Sequence, residues 1–301
     1  MFLDFLKVRW TNLTDFCEKI ALKQLSLSPS NVFYKKLLFV LGRQHVTMSL
    51  AKKGDVLVSH LSGCLMICDR KDTIQRGIIQ KRTFSPEILK TINIFLKPRT
   101  TFIDVGAHCG SISIPTAFNN PHSNVLSIEP QHDLLEKLKK NIQINNISNI
   151  KTYGKAISKK EMEINLKVPI RNDGTLISEL VGNLDKRSTL KYKNQIMRTN
   201  TLDNILISEN HPVSIIKIDV QGNELDVLKG SLNILKKDRP ALIIEIEDKF
   251  FSNPRKNRAE IAKILKEFNY ECYLLEDALQ GRFLPINLKY PLENDILAIS
   301  I

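Results

Sequence analysis

The stretch Thr100-Thr-Phe-Ile-Asp-Val-Gly-Ala-His-Cys-Gly110 decides the fold of this 301-residue chain. A run of β-branched and aromatic residues ends at the acidic Asp104, and two glycines then lead into a predicted helix. Nineteen residues after Gly110, a second apolar run over 124–128 ends at Glu129. A strand, a glycine turn, a helix and a second strand that ends at a carboxylate are the parts of a nucleoside-binding βαβ unit.

The order of acids and glycines in this turn predicts which nucleoside it binds. A dinucleotide-binding turn reads G-x-G-x-x-G, whereas this one reads D-x-G-x-x-x-G, with Asp104 in front of Gly106. A carboxylate at the mouth of the turn repels phosphate and attracts an ammonium group. S-adenosyl-L-methionine carries an ammonium group and a sulfonium but no phosphate, so the pattern favours it over NAD. A strand–turn–helix corner without a ligand is the remaining alternative.

Two residues have specific predicted roles in that site. Gly106 lacks a side chain, so the backbone can approach a ligand that a side chain would block. Glu129 can accept two hydrogen bonds from the vicinal hydroxyls of a ribose.

Strand and helix patterns alternate regularly from Thr100 onward and predict an α/β fold. The predicted strands are 101–105, 124–129, 150–154, 214–219, 241–247, 271–275 and 295–301. The predicted helices are 111–119, 131–145, 202–208, 224–236 and 258–268. This alternation indicates a Rossmann-like, seven-stranded, mostly parallel sheet with helices on both faces. Asp104, Glu129 and Asp219 then fall at the carboxyl ends of the strands, where such folds bind ligands.

The first hundred residues predict a helical and β-hairpin extension of this fold. Apolar and basic residues alternate at near-helical spacing over 1–27, and a second apolar and basic segment covers 32–40. A hairpin is predicted over 54–69, followed by a helix with Ser85 as its cap and Pro86 at its first position. The predicted division is therefore a basic helical extension (1–53), a hairpin and helix leading into the catalytic domain (54–98), and a domain that binds S-adenosyl-L-methionine (99–301).

Composition limits the compartment and the class of protein. The chain is 43% hydrophobic and 25% charged, as is ordinary for a globular protein. No apolar run approaches the roughly 20 residues that cross a bilayer, and the start of the chain does not read as a secretory signal. Five cysteines form no CxxC pair. We therefore expect a reducing, cytoplasmic compartment.

Positive charge is concentrated in the first third of the chain. Residues 1–100 contain 17 Lys and Arg against 7 Asp and Glu, whereas residues 101–301 contain 27 against 25. Three interpretations stay open: solvated faces, peripheral contact of residues 1–50 with an anionic surface at the inner face of the membrane, and nucleic acid. Nucleic acid is disfavoured because we expect no exposed aromatic residues interleaved with the basic ones and find no recognised binding motif.

A second dense motif, Ile215-Ile-Lys-Ile-Asp-Val-Gln-Gly-Asn-Glu224, supplies candidate catalytic groups. Lys217 stands among isoleucines, so its ammonium needs a carboxylate partner or a shifted pKa. It either steers or deprotonates a substrate hydroxyl, or forms an ion pair, with Asp219 or another acid, that orders the strand. Asp219, Glu224 and Glu245 are candidates for a base or a substrate clamp. A weak magnesium site is an alternative, but no His or further ligand spacing supports it, so we predict no metal.

Together these motifs resemble the FkbM-type methyltransferases, class I enzymes that depend on S-adenosyl-L-methionine. The resemblance runs from about Gly54 to the end of the chain. It rests on the segments 102–110, 127–130, 138–146, 156–158, 200–203, 216–224, 227–230 and 240–245. His108-Cys109 depart from the usual Asn and small apolar residue, and Gln221 stands where Glu is common.

The resemblance implies O-methylation, often of sugar or polyketide hydroxyls. It implies that Asp104, Gly106, Gly110 and Glu129 hold the cofactor and that residues around Ala156 flank the adenine. The complete predicted cofactor-binding set is Asp104, Gly106, Ala107, His108, Gly110, Glu129, Pro130, Ala156 and Asp219.

We therefore predict an S-adenosyl-L-methionine-dependent O-methyltransferase that acts on a hydroxyl of a sugar, glycolipid or natural product. Asp219 or Lys217 is expected near the acceptor, with Glu224 and Glu245 shaping the site. The alternatives are an N-methyltransferase that acts on nucleic acid or protein, and a non-catalytic cofactor-binding scaffold.

Overall fold

A computed structural model describes residues 47–49, 55–169, 192–207 and 211–301. The strands are β1 (Thr47–Ser49), β2 (Asp55–Ser59), β3 (Leu65–Asp69), β4 (Thr101–Val105), β5 (Asn124–Ile128), β6 (Ile150–Tyr153), β7 (Glu163–Pro169), β8 (Tyr192–Arg198), β9 (Val213–Ile218), β10 (Ala241–Glu247), β11 (Tyr270–Leu274) and β12 (Glu293–Ser300). The helices are α1 (Thr73–Lys81), α2 (Pro86–Phe95), α3 (Ser113–Asn119), α4 (His132–Ile144), α5 (Leu202–Leu206), α6 (Glu224–Lys229), α7 (Leu232–Lys237), α8 (Pro254–Glu267) and α9 (Leu275–Leu279). The predicted amphipathic segments at 1–27 and 32–40 lie outside the described residues.

The central sheet has seven strands in the order β11-β12-β10-β9-β4-β5-β6. The pairs β10–β9, β9–β4, β4–β5 and β5–β6 are parallel. The last strand, β12, lies antiparallel between β10 and β11. The predicted Rossmann-like, mostly parallel sheet is therefore confirmed.

Both faces of the sheet are buried under helices, because successive strand residues point to opposite faces. Phe102 and Ile215 pack with α2, α3 and α9 on one face. Their neighbours Ile103 and Ile216 pack with α6, α7 and α8 on the other. The carboxyl ends of β4, β5 and β9 are thereby fixed side by side at one edge of the sheet.

The predicted hairpin forms from β2 and β3, and it shares a hydrophobic core with the turn that follows β4. That core contains Val56, Val58, Cys64, Met66, Cys68, Ile78, Ala107, Cys109, Ile114 and Leu138. The fully buried Asn141 of α4 links the two parts: its side chain accepts from the Ile67 amide at 2.7 Å and donates to the Cys109 carbonyl at 2.9 Å. The hairpin therefore supports the cofactor turn directly.

Several element boundaries differ from the sequence prediction. Helix α1 was not predicted, although Asp72 caps it by accepting from the amide of Gln75 at 2.9 Å. Ser85 has φ +42° and makes no side-chain cap. The predicted helix 224–236 is two helices, α6 and α7, separated at Gly230.

The break at Gly230 has a tertiary cause. A Cβ atom there would lie 2.3 Å from the carbonyl oxygen of Ser158, so the helix end and the segment after β6 approach closely. The region 160–199, in which no strand or helix was predicted, contributes the antiparallel pair β7–β8 within the described residues. Among those residues no helix has the length and apolarity that crossing a bilayer requires.

Candidate functional site

A cleft of about 770 Å³, counting space open to solvent, lies at the carboxyl ends of β4, β5 and β9. We call it the donor cavity. Of the predicted site residues, Gly106, His108, Glu129, Pro130, Ala156 and Asp219 form part of its wall. Asp104, Ala107, Gly110, Lys217, Glu224 and Glu245 do not. The structure thus brings together six of the predicted residues and places the others behind or beside the cavity.

Gly106 allows two loops of the protein to meet. Its φ is +87°, and a Cβ atom on it would lie 1.9 Å from the carbonyl oxygen of Asp219. The amides of Gly106 and Ala107 both donate to the Ile128 carbonyl, at 3.0 and 2.9 Å. The turn after β4 is therefore held between the end of β5 and the loop after β9. The close approach that requires glycine is to the Asp219 backbone, a neighbour that sequence reasoning did not identify.

Glu129 is buried, and backbone amides fix the direction of its carboxylate. One oxygen accepts from the amide of His108 and the other from the amide of Gln131, each at 2.9 Å. A carboxylate has about four acceptor positions, so two remain for a ligand. Burial raises the pKa of Glu129 above its ordinary value, and the amides and His108 oppose that shift. The side chain is oriented before any ligand binds.

Lys217 lies between two carboxylates inside the sheet. Its Nζ is 3.0 Å from Asp219 Oδ2 and 3.4 Å from Asp104 Oδ1. Burial alone would lower the pKa of Lys217, but Asp219 and then Asp104 outweigh it and hold the pKa above its ordinary value. This is the ion-pair alternative of the sequence analysis. It leaves Lys217 without the free amine that a base needs.

Asp104 lies under the turn and not at its mouth. Its side chain is fully buried and accepts from Ser113 Oγ at 2.6 Å, and Ser127 donates in turn to Ser113 at 2.7 Å. Its partner cation is Lys217. Asp104 is therefore not part of the cavity wall, and the predicted contact between Asp104 and the ammonium group of a ligand is not available there.

Glu224 holds the loop after β9. Its carboxylate accepts from the amides of Val220 and Gly222, at 3.2 and 3.0 Å. Burial raises the pKa of Glu224 to about 7, and these amides oppose the rise. The structure therefore gives Glu224 a positioning task for the loop that carries Asp219.

Asp219 connects the donor cavity to a second cleft. It lines the donor cavity and makes a side-chain hydrogen bond with Glu245, its neighbour across β9 and β10. Burial, and then the charge of Asp219, raise the pKa of Glu245 well above its ordinary value. Burial would raise the pKa of Asp219 too, but Lys217 outweighs it and keeps that pKa low. Glu245 is therefore the protonated partner and Asp219 the ionised one.

The second cleft is lined by carboxylates, and we call it the acidic cleft. It measures about 690 Å³, counting space open to solvent. Its acidic lining residues are Glu87, Glu245, Glu247, Glu276, Asp277 and Asp295. Burial raises the pKa of Asp295 to about 6. The clustering of these acids follows from strand order, since β12 lies beside β10, and sequence reasoning found only Glu245.

Sequence reasoning also missed part of the donor cavity wall. Ile74 comes from the unpredicted helix α1, and Leu166 comes from the unpredicted strand β7. The hairpin β7–β8 is fixed over the cavity by Gln195, whose side-chain amide donates to the Pro130 carbonyl at 3.0 Å. Gln131 also lines the cavity, and its position directly after the predicted residues Glu129 and Pro130 could have identified it from the sequence.

The donor cavity fits S-adenosyl-L-methionine better than a dinucleotide. Its wall combines apolar side chains, which suit an adenine ring, with the ionised or ionisable acids Glu129 and Asp219, which would repel a pyrophosphate. Gln131 Nε2 and Gln221 Oε1 are buried polar atoms of the same wall with no hydrogen-bond partner within the described part of the chain. Such atoms call for ligand or water partners. The residues present therefore fit the predicted cofactor.

Comparison with known proteins agrees with the motifs. A family model described as the methyltransferase FkbM domain matches residues 104–272. The match begins at Asp104, so the hairpin and α1 lie outside it, although the resemblance was expected to start near Gly54. No curated protein matches this chain.

Several solved structures of methyltransferases are similar to this chain at low identity. A crystal structure of methyltransferase FkbM from Methylobacillus flagellatus KT is 15% identical, covers 75% of this chain and 52% of its own, and has a TM-score of 0.42. TYW2 of M. jannaschii, in complex with AdoMet, is 14% identical over 83% of this chain and 89% of its own, with a TM-score of 0.44. Precorrin-6y C5,15-methyltransferase from Geobacter metallireducens GS-15 is 11% identical over 77% and 94%, with a TM-score of 0.41. The chain spans about half the length of the first of these.

The family model covers more than half of the chain, and its first matched residue is the Asp104 of the motif that the sequence analysis started from. This protein therefore belongs to the FkbM methyltransferase domain family, and the predicted class, a methyltransferase dependent on S-adenosyl-L-methionine, is confirmed.

Proposed function

We propose that this protein methylates a hydroxyl group of a sugar, a glycolipid or a hydroxyl-bearing natural product. The observation that carries the proposal is the Asp219–Glu245 pair, which lies between the donor cavity and the acidic cleft. One member of the pair lines the donor cavity and the other lines the acidic cleft.

On the donor side, Glu129 accepts hydrogen bonds from the ribose hydroxyls through its two remaining acceptor positions. Ala156, with Ile128, Ile157 and Leu166, offers an apolar wall to the adenine. S-adenosyl-L-methionine supplies an electrophilic methyl group when it is bound. The protein's own task is to hold the donor still and to exclude water from it.

On the acceptor side, Asp219 is the candidate base. Lys217 keeps it ionised and fixes one of its oxygens at 3.0 Å. An ionised carboxylate accepts the hydrogen bond of an approaching hydroxyl and takes its proton as the oxygen gains a methyl group. Glu245, as the protonated partner, orients Asp219 from the other side.

The acidic cleft supports a hydroxyl-rich acceptor. Ionised carboxylates are pure hydrogen-bond acceptors, so they match the O–H donors of a sugar or polyol. The five acidic side chains other than the protonated Glu245 would repel a phosphate backbone. This charge argues against the nucleic-acid alternative, and nothing in the described residues favours the alternative of a non-catalytic scaffold.

A methyl-transfer assay tests the proposal. Labelled S-adenosyl-L-methionine is incubated with a panel of glycosides, polyols and phenolic alcohols, with nucleic acid and a peptide mixture as alternative acceptors. We expect label in a hydroxyl-bearing acceptor and a loss of about 100-fold or more in Asp219→Asn, because a general base contributes about that much. Asp133→Asn, in an exposed acid of α4, is the control and should keep full activity. Transfer to nucleic acid alone, or equal rates in the wild type and Asp219→Asn, would contradict the proposal.

For residues 1–50 we keep the proposal of peripheral contact with an anionic membrane, supported by their alternating apolar and basic residues. Co-flotation of the full chain with vesicles that contain anionic lipid tests it. We expect co-flotation at low salt that weakens at about 0.5 M salt, since screening shortens the reach of surface charge. A variant with Lys7, Arg9, Lys19 and Lys23 changed to Gln should stay with the soluble fraction. Equal flotation of the variant and the wild type would refute an electrostatic contact.

A further inference from the structure

The wall of the donor cavity contains one histidine, His108, that the proposed chemistry does not use. Its side chain is only 7% exposed, and its φ of +54° belongs to the left-handed region. Its backbone amide donates to Glu129, so the residue is fixed beside the predicted ribose site. Its Nδ1 atom is buried and has no hydrogen-bond partner in the described part of the protein. A buried ring nitrogen without a partner, in the wall of a cavity, indicates a ligand contact.

Asp72 determines what that ring nitrogen can do. His108 Nε2 lies 3.0 Å from Asp72 Oδ2, and both side chains are buried. Asp72 is itself fixed, because it caps α1 by accepting from the Gln75 amide. Burial alone would lower the pKa of His108, but Asp72 and then Cys109 outweigh it and hold the pKa well above its ordinary value. The ring is therefore an imidazolium, and both of its nitrogens are donors.

The surroundings of His108 favour an oxygen anion as the partner of Nδ1. With Nε2 engaged by Asp72, the second N–H of the imidazolium is left for a ligand. Gln131 Nε2, a second donor without a partner in the described residues, belongs to the same wall. Helix α1 begins at Thr73 and contributes Ile74 to the wall, so its N-terminal partial positive charge lies near the cavity. The titratable groups around His108 are Asp72, Cys109, Glu129 and Asp219.

We propose that the His108 imidazolium, paired with Asp72, recognises the carboxylate of the methionyl part of the methyl donor through Nδ1–H. This inference rests on the proposed function, since it assigns a part of the donor to a part of the same cavity. The ribose is already matched by Glu129, whereas the carboxylate is the one full negative charge that the donor carries. Asp72 and α1 precede the residues matched by the family model, so the donor site depends on a segment outside that match.

Titration calorimetry on the full chain with two nucleosides separates this contact from the rest of the cavity. S-adenosyl-L-homocysteine carries the methionyl carboxylate, and 5′-methylthioadenosine lacks it but keeps the adenine and ribose. In His108→Asn the affinity for S-adenosyl-L-homocysteine should fall by about tenfold or more, as expected for a lost charge-assisted hydrogen bond. The affinity for 5′-methylthioadenosine should stay within about twofold, and Asn tolerates the left-handed backbone.

A second variant tests the role of Asp72 without removing the cap. Asn caps a helix about as well as Asp, so Asp72→Asn keeps α1 and removes only the charge beside His108. In this variant burial is no longer opposed by the Asp72 charge, so His108 loses its proton at a lower pH than in the wild type. The affinity for S-adenosyl-L-homocysteine should therefore fall as the pH rises from about 5 to 8, and at pH 8 it should be about tenfold below that of the wild type. In the wild type it should stay flat over that range. His132→Asn, in an exposed histidine of α4, is the control for both measurements.

The outcomes are distinguishable. Suppose that the wild type binds both nucleosides. If His108→Asn then lowers the affinity for both equally, or lowers the affinity for neither, the carboxylate contact is overturned while the proposed function stands. An affinity of Asp72→Asn for S-adenosyl-L-homocysteine equal to that of the wild type at pH 8 also overturns it. If the wild type binds neither nucleoside, the proposed function itself fails.

Discussion

The turns after β4 and β9 have similar sequences but place their acids differently. The first reads Asp104-Val-Gly106 and the second Asp219-Val-Gln-Gly222, and each glycine has a positive φ. Asp104 pairs in register with Lys217 inside the sheet, so it is buried under its turn. Asp219 comes two residues later than Lys217, beyond the last paired residue of β9, and faces the donor cavity.

The register of the parallel strands explains this difference. Residues opposite each other in neighbouring strands lie at the same depth of the sheet. Asp104 therefore serves the stability of the sheet edge, as a partner for Lys217, whereas Asp219 serves the chemistry. A carboxylate at the end of a strand predicts a ligand site only when it lies beyond the last residue of that strand that pairs with a neighbouring strand.

The largest effect is expected at the point where the two turns touch. In Gly106→Ala the new Cβ would lie 1.9 Å from the carbonyl oxygen of Asp219, which is a backbone atom and not the end of a flexible side chain. We expect the free energy of unfolding to fall by about 4 kcal/mol or more, as for the most disruptive single changes. The measurement is chemical denaturation followed by circular dichroism.

Gly281→Ala is the matched control for that variant. Gly281 also has a positive φ, +78°, but no atom lies within 4 Å of its Cβ position. Only the backbone strain of about 1–2 kcal/mol should remain. Equal losses in the two variants would show that the contact between the turns contributes nothing.

The second prediction exchanges the two acids for amides. Asp104→Asn removes one of the two carboxylates beside the buried Lys217, so the free energy of unfolding should fall by about 2–4 kcal/mol. Asp219→Asn should lose about 1 kcal/mol, because its carboxylate is partly exposed, and should lose methyl transfer by about 100-fold or more. Denaturation and the transfer assay are run on both variants. A larger activity loss in Asp104→Asn than in Asp219→Asn would reverse the comparison and contradict it.

The smallest effect concerns the protonated partner of Asp219. Glu245 has a pKa raised in the folded state, so the unfolded chain releases its proton first and stability falls as the pH rises above about 4.5. Glu245→Gln keeps an N–H donor for Asp219 and removes that pH dependence. At pH 8 the variant should be more stable than the wild type by about 1–2 kcal/mol. Glu247→Gln, two residues along β10, is the control, and unchanged pH dependence in Glu245→Gln would contradict the assignment.

Local patterns were enough to predict much of this fold. The β-branched runs at β4, β9 and β10 and the spacing of their turns gave the sheet, because buried parallel strands are near-continuous apolar segments. The same patterns identified Gly106, Glu129 and Asp219 as residues of one site. A carboxylate that follows the end of a parallel strand is placed by the fold, so its general position can be read from sequence.

What could not be predicted depends on contacts between distant segments. The register that buries Asp104 opposite Lys217 is set by pairing across more than a hundred residues. The break at Gly230 reflects the close approach of Ser158. The ion pair of His108 with Asp72 joins the turn after β4 to α1, a helix whose sequence has no strong periodicity. The Asp72 to Gln75 spacing was the available signal for that helix, since it matches a capping box.

The most direct test of the central claim is calorimetric titration of the full chain with S-adenosyl-L-homocysteine. In the proposed site the ligand lies against Glu129, and Asp104 is not part of the cavity wall. We predict one binding site per chain, an affinity lower by about tenfold or more in Glu129→Gln, and an affinity within about threefold of the wild type in folded Asp104→Asn. No binding by the wild type, or a greater loss in Asp104→Asn than in Glu129→Gln, would contradict it.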